Sequence, residues 1–117
     1  ISAGDRWKFV GDVQYDVAKY AVTRLAFALN ARHAADGLTA LTVWPGFTRT
    51  ERVIAAAPPP EAMATTHSAR FVGRGVVALY QDPKVKEKGG EAFRAGDLGE
   101  IYDLVDVDGK KVAPFEL

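Results

Sequence analysis

The hydrophobic pattern changes period along the chain. From about Asp12 to Asp36 apolar residues recur at helical spacing, with Ala18, Val22, Leu25 and Leu29 in a stripe that Ala21 and Ala28 widen. No Pro or Gly interrupts it for about seven turns, and Gly37 follows as a C-cap. Leu38 to Trp44 then reads as a strand bounded by Gly37 and Pro45-Gly46. Apolar and Thr residues fall on both of its faces, the pattern of a strand covered on both sides in a parallel sheet. Residues 51–67 contain Ala55-Ala56-Ala57-Pro58-Pro59-Pro60 and cannot form one regular element, although a short helix fits after Glu61. Ser68 caps a second helix from Ala69 to about Asp82, with Phe71, Val72, Val76 and Leu79 on one face and Asp82-Pro83 as its stop. Lys84 to Gly90 reads as a solvated charged turn, Ala92 to Ala95 as a short strand, and Asp103 to Leu117 as a surface tail.

Helix, strand, excursion, helix, strand predicts parallel strands joined by crossover helices. Two such strands make a poor domain alone, with open edges and too little to pack on. The pattern therefore implies an α/β architecture larger than 117 residues provide. Composition narrows the rest. Fifteen Lys and Arg balance fifteen Asp and Glu, which argues against a nucleic-acid or anionic-membrane surface. The absence of cysteine removes disulfides, thiolate metal sites and Cys nucleophiles. No apolar run reaches the roughly 20 residues of a membrane span, and a cytoplasmic location is expected.

Tyr15 and Lys19 stand four apart near the start of the long helix, on one face and a turn apart. A phenol is a weak proton donor and acceptor at neutral pH, and a neighbouring ammonium stabilises its anion. Such a pair can protonate a carbonyl oxygen or take a proton from an alcohol. Tyr-x-x-x-Lys arises by chance in roughly one chain in five of this length, so alone it decides little against a surface Tyr lying along a Lys stem. Ser2 lies 13 residues before Tyr15. Ser2, then Tyr15-Asp16-Val17-Ala18-Lys19, with Ala21-Val22 and Leu25-Ala26, resembles the catalytic segment of the short-chain dehydrogenases/reductases. Trp44-Pro45-Gly46-Phe47-Thr48-Arg49-Thr50 resembles that family's Pro-Gly-x-x-x-Thr cofactor segment. Phe71-Val72-Gly73-Arg74 and Ala95-Gly96-Asp97-Leu98 match its last helix and strand.

The resemblance implies a fold and a chemistry. The chain, residues 1–117, would be the C-terminal half of a single doubly wound parallel-sheet (Rossmann-type) domain, with the cofactor-binding half upstream of Ser2. The cofactor would be NAD or NADP, and the substrate a small carbonyl or alcohol in a homo-oligomeric enzyme. Tyr15 would exchange the proton with the substrate oxygen, Lys19 would assist it and hold the nicotinamide ribose, and Ser2 would hold the carbonyl. Pro45, Gly46, Thr50 and backbone groups around Phe47 and Thr48 would bind the nicotinamide carboxamide. Residues 51–67 would be the substrate loop, whose Ala, Pro and Met content suits an apolar substrate. Thr48 departs from the Ile or Val common at its position. The competing expectation is a non-catalytic or cofactor-sensing module.

Other motifs read as structural. Gly73-Arg74-Gly75-Val76-Val77-Ala78 matches the dinucleotide fingerprint Gly-x-Gly-x-x-Ala but falls inside a helix, where its glycines would allow close packing on the sheet. Asp106-Val107-Asp108-Gly109 is like the start of a calcium loop, but Leu104 and Phe115 occupy ligand positions. His33 sits at a helix end, His67 lies far off in a loop, and no metal site is expected.

Overall fold

The long apolar-patterned segment forms α1 (Val13–His33), and the reasons are local. Asp12 caps it, its carboxylate accepting from the Tyr15 amide at 2.7 Å. A 3₁₀ turn, Ala34–Asp36, closes it into Gly37, whose φ of 89° is a conformation glycine adopts without strain. The computed structural model describes Phe9 and residues 11–116, so Ser2 lies outside the described residues.

The stripe of Ala18, Val22, Leu25 and Leu29 is not the face that meets the strand. Val22 and Leu25 are each 57% exposed, and no residue of α1 is buried. The helix instead meets its neighbours through Thr23 and Asn30: Trp44 Nε1 donates to Thr23 Oγ1 at 3.2 Å, and the Ala40 amide donates to Asn30 Oδ1. Apolar residues run nearly all round α1, so spacing alone could not select an inner face.

β1 (Thr42–Trp44) and β2 (Ala92–Arg94) pair in parallel, with Thr42 opposite Ala92, Val43 opposite Phe93 and Trp44 opposite Arg94. The parallel pairing follows the expectation; the extent does not. Leu38–Leu41 are not strand, because the backbone there turns aside to Asn30 of α1 and to the Gly90 amide, which donates to the Ala40 carbonyl at 2.7 Å.

Between the strands the excursion resolves into α2 (Glu51–Ala55), capped by the Thr50 hydroxyl, and α3 (Pro60–Ala64), which begins on a proline at its first position. α4 (Ala69–Gln81) is capped by Ser68 as expected. Its inner face runs through Phe71, Gly75 and Leu79, while Val76 is half exposed. The sequence pattern did not anticipate α5 (Ala95–Ile101), which follows β2 without a break. At its start the Asp97 carboxylate accepts from the Arg94 backbone amide at 2.9 Å and from the Arg94 guanidinium, a one-sided cap that offsets the two glycines within the helix. The buried apolar core is Phe71 and Leu79 from α4 with Ala95 and Leu98 from α5.

Gly75 therefore packs on a helix and not on the sheet: a Cβ there would meet Leu98 Cδ1 at 3.0 Å, whereas Gly73 faces open space. The charged segment after α4 is also less solvated than expected. It contains a 3₁₀ turn, Val85–Lys88, and Lys88 Nζ reaches the Asp82 carboxylate at 2.8 Å. The Tyr102 hydroxyl donates to the same carboxylate at 2.6 Å. Together these bonds, led by the one from Lys88, pull the Asp82 carboxyl down to about 2.

Candidate functional site

The carboxyl end of β1 opens into a cleft of about 670 Å³ against α1. Tyr15, Lys19, Pro45, Gly46, Thr48 and Thr50 all line it, so residues far apart in the chain meet at one place. Strand ends that face a helix are where open α/β sheets place ligands. The Lys19 ammonium sits 5.3 Å from the centroid of the Tyr15 ring. Tyr15 is 41% exposed.

The register of the cleft is set by Trp44. Its indole N–H donates to Thr23 Oγ1, and that hydroxyl donates to the Lys19 carbonyl at 3.2 Å. One hydroxyl thus joins the helix turn that carries Lys19 to the strand that ends in Trp44. Past Pro45, the backbone at Gly46 takes a φ of 75°, and an added Cβ would press on Phe115 Cβ at 3.0 Å. The tail has returned over the turn and closes it from outside.

The remaining donors and acceptors of the turn are mostly committed. The Phe47 carbonyl accepts from the His67 amide, the His67 carbonyl accepts from the Arg49 amide at 2.8 Å, and the Thr48 amide bonds Gly46 O at 3.1 Å. The Phe47 side chain points to a different cavity and lies 6.3 Å from the Phe115 ring. Thr50 Oγ1 accepts from the Val53 amide at 3.3 Å, which leaves its own hydrogen free to donate. Thr48 Oγ1 is buried and has no hydrogen-bond partner among the described residues. Arg52 and Arg94 complete the cationic side of the cleft, Arg94 being held by Asp97 at 2.7 Å.

The second cavity, about 850 Å³, lies between α3 and the tail, lined by apolar residues such as Met63 and Pro114 and by charged ones such as Arg49 and Lys110. His67, a remote loop histidine in the sequence, lies at its edge and is only 4% exposed. No spacing in the sequence signals its position. Asp106 is also buried, and its carboxylate accepts from the Ser68 amide and hydroxyl and from the Val107 amide. Burial opposes ionisation of Asp106, but these hydrogen bonds outweigh it and hold the carboxyl below its ordinary range.

Over an alignment of 116 positions covering 89% of the chain, it is 30% identical to "Dehydrogenase/reductase SDR family member 1" of Mus musculus. The human protein of the same name is 27% identical over an alignment of 127 positions covering 98% of the chain. The chain is related to the short-chain dehydrogenases/reductases. It spans only 37% of the mouse protein and 41% of the human one. No protein-family model matches it. Both names are those of oxidoreductases. Among the described residues, no helix is long and apolar enough to cross a membrane.

Proposed function

We propose that the chain carries the proton-transfer and nicotinamide-side residues of an NAD(P)-dependent carbonyl/alcohol oxidoreductase. The observation that carries the reading is the convergence of Tyr15 and Lys19 with Pro45, Gly46, Thr48 and Thr50 around one cleft at the end of a parallel strand. The kinship just described, and the parallel pair, also support reading the chain as the C-terminal half of a doubly wound Rossmann-type domain. NAD or NADP would supply hydride transfer when bound.

The donors present fit a dinucleotide's nicotinamide end. A partnerless buried hydroxyl costs about 1–3 kcal/mol, and Thr48 supplies one in the cleft wall. Thr50 supplies a free O–H and Lys19 an ammonium for ribose hydroxyls. Tyr15 is the proton donor and acceptor for the substrate oxygen, with Lys19 holding positive charge beside it as the proton leaves. Ser2, outside the described residues, would hold the substrate carbonyl, as its resemblance to the family's upstream serine implies. The apolar residues of the second cavity suit the non-reacting part of an apolar substrate.

Tyr15→Phe in the full-length protein tests this. Carbonyl reduction with NADH or NADPH is expected to fall about 10²–10⁴-fold, with cofactor affinity little changed. Reduction at the wild-type rate would remove Tyr15 from the chemistry. A non-catalytic, cofactor-sensing module would show saturable nucleotide binding with no turnover on a panel of carbonyl compounds.

A further inference from the structure

His67 grips the cofactor turn at three points. Its Nε2 lies 2.7 Å from the Pro45 carbonyl oxygen, its amide donates to Phe47 O, and its carbonyl accepts from the Arg49 amide. A Cβ on Gly46 would lie 3.6 Å from the same Nε2, so the ring also packs against that glycine. Behind it, Nδ1 faces the Ser68 carbonyl at 3.1 Å, and Ser68 is fastened to the buried Asp106 carboxylate of the tail. The Phe71 ring of α4 covers one side at 5.4 Å.

Both ring nitrogens thus face carbonyl oxygens, which carry no hydrogen to donate. A neutral imidazole bears one N–H and can make only one of these bonds; a doubly protonated ring makes both. Charged groups around the ring are few. Asp106 of the tail stands near the ring, and Arg49, on the turn, has its guanidinium turned to Thr66. The adjoining cavity also carries Asp108, Lys110, Lys111 and Glu116.

We propose that His67 is a positioning residue that presents the Pro45–Gly46 turn to the cofactor, and that protonation of its ring tightens this grip. The proposal rests on the oxidoreductase reading for its cofactor half; its structural half stands on the hydrogen bonds alone.

The experiment compares the full-length protein with His67→Gln, which keeps one neutral donor, and His67→Leu, which keeps none. Hydrogen exchange of residues 45–49 without cofactor, corrected for intrinsic rates, and Kd for NADH and NADPH are followed from about pH 8 to about pH 5.5. In the wild type, exchange is expected to slow and binding to tighten as the pH falls. His67→Gln should resemble the wild type at high pH and show little pH dependence. His67→Leu should exchange faster and bind about 10-fold more weakly throughout.

Unchanged exchange and affinity in His67→Leu would overturn the proposal, as would a wild-type pH profile that persists in His67→Gln. Should His67→Leu not fold, the wild-type and His67→Gln profiles decide by the same criterion. Should the wild type bind neither nucleotide, the oxidoreductase reading falls and the exchange data alone judge His67: lost protection upholds its positioning role, unchanged protection ends it.

Discussion

Individual side chains differ in how openly the sequence announces them. Tyr15 and Lys19 are legible because helix geometry turns a spacing of four into adjacency, and the cleft brings both to the end of β1. His67 and Asp106 are not, because their roles depend on a contact between residues 38 positions apart in the chain, Ser68 and Asp106. The same holds for Asp82, whose carboxylate is shared by Lys88 and Tyr102. A carboxyl held at about 2 when folded, against an ordinary 3.8, adds stability that is complete above the higher value and is lost as the pH falls through the lower one. Stability should therefore decline on acidification from about pH 4 toward about pH 2, with Asp106 contributing in the same direction. Asp82→Asn should flatten that decline in denaturant titrations at fixed pH. An identical slope in the variant would show that the carboxylate carries none of it.

Elements were legible where local signals were strong and unopposed. α1 and α4 carry caps and long periodic runs, and both formed nearly as expected. β1 came out shorter because its length is set by its partner, and α5 was invisible because Gly96 and Gly99 argue against a helix. Those glycines are where neighbours come close. A Cβ on Gly96 would lie 2.4 Å from the Pro114 nitrogen, whereas one on Gly73 would meet nothing within 4 Å. Gly96→Ala should therefore lift the tail from α5 and cost about 1–3 kcal/mol, with faster proteolysis beyond residue 111. Gly73→Ala, in an open helix interior, should gain about 0.5–1 kcal/mol. Equal melting temperatures for the two variants would refute this seating of the tail.

At the scale of the molecule, a radius of gyration of 15.0 Å exceeds the roughly 13.4 Å of a well-rounded domain this long. α1 leaves Val17, Val22, Leu25 and Phe27 46–61% exposed. The alternation of elements made a parallel sheet readable, but no pattern within the chain specifies what these side chains pack on. An apolar surface of this kind drives association. The 117-residue chain alone is expected to run above 12.6 kDa in light scattering, and a Val17→Lys/Leu25→Lys pair to lower that mass. A monodisperse monomer before substitution would contradict it.

Phe115 lines both cavities, one beside Tyr15 and one beside Met63. An occupant of either cavity that displaced this residue would change the wall of the other. If filling the apolar cavity changes affinity in the cleft by some factor, filling the cleft must change affinity in the apolar cavity by that same factor.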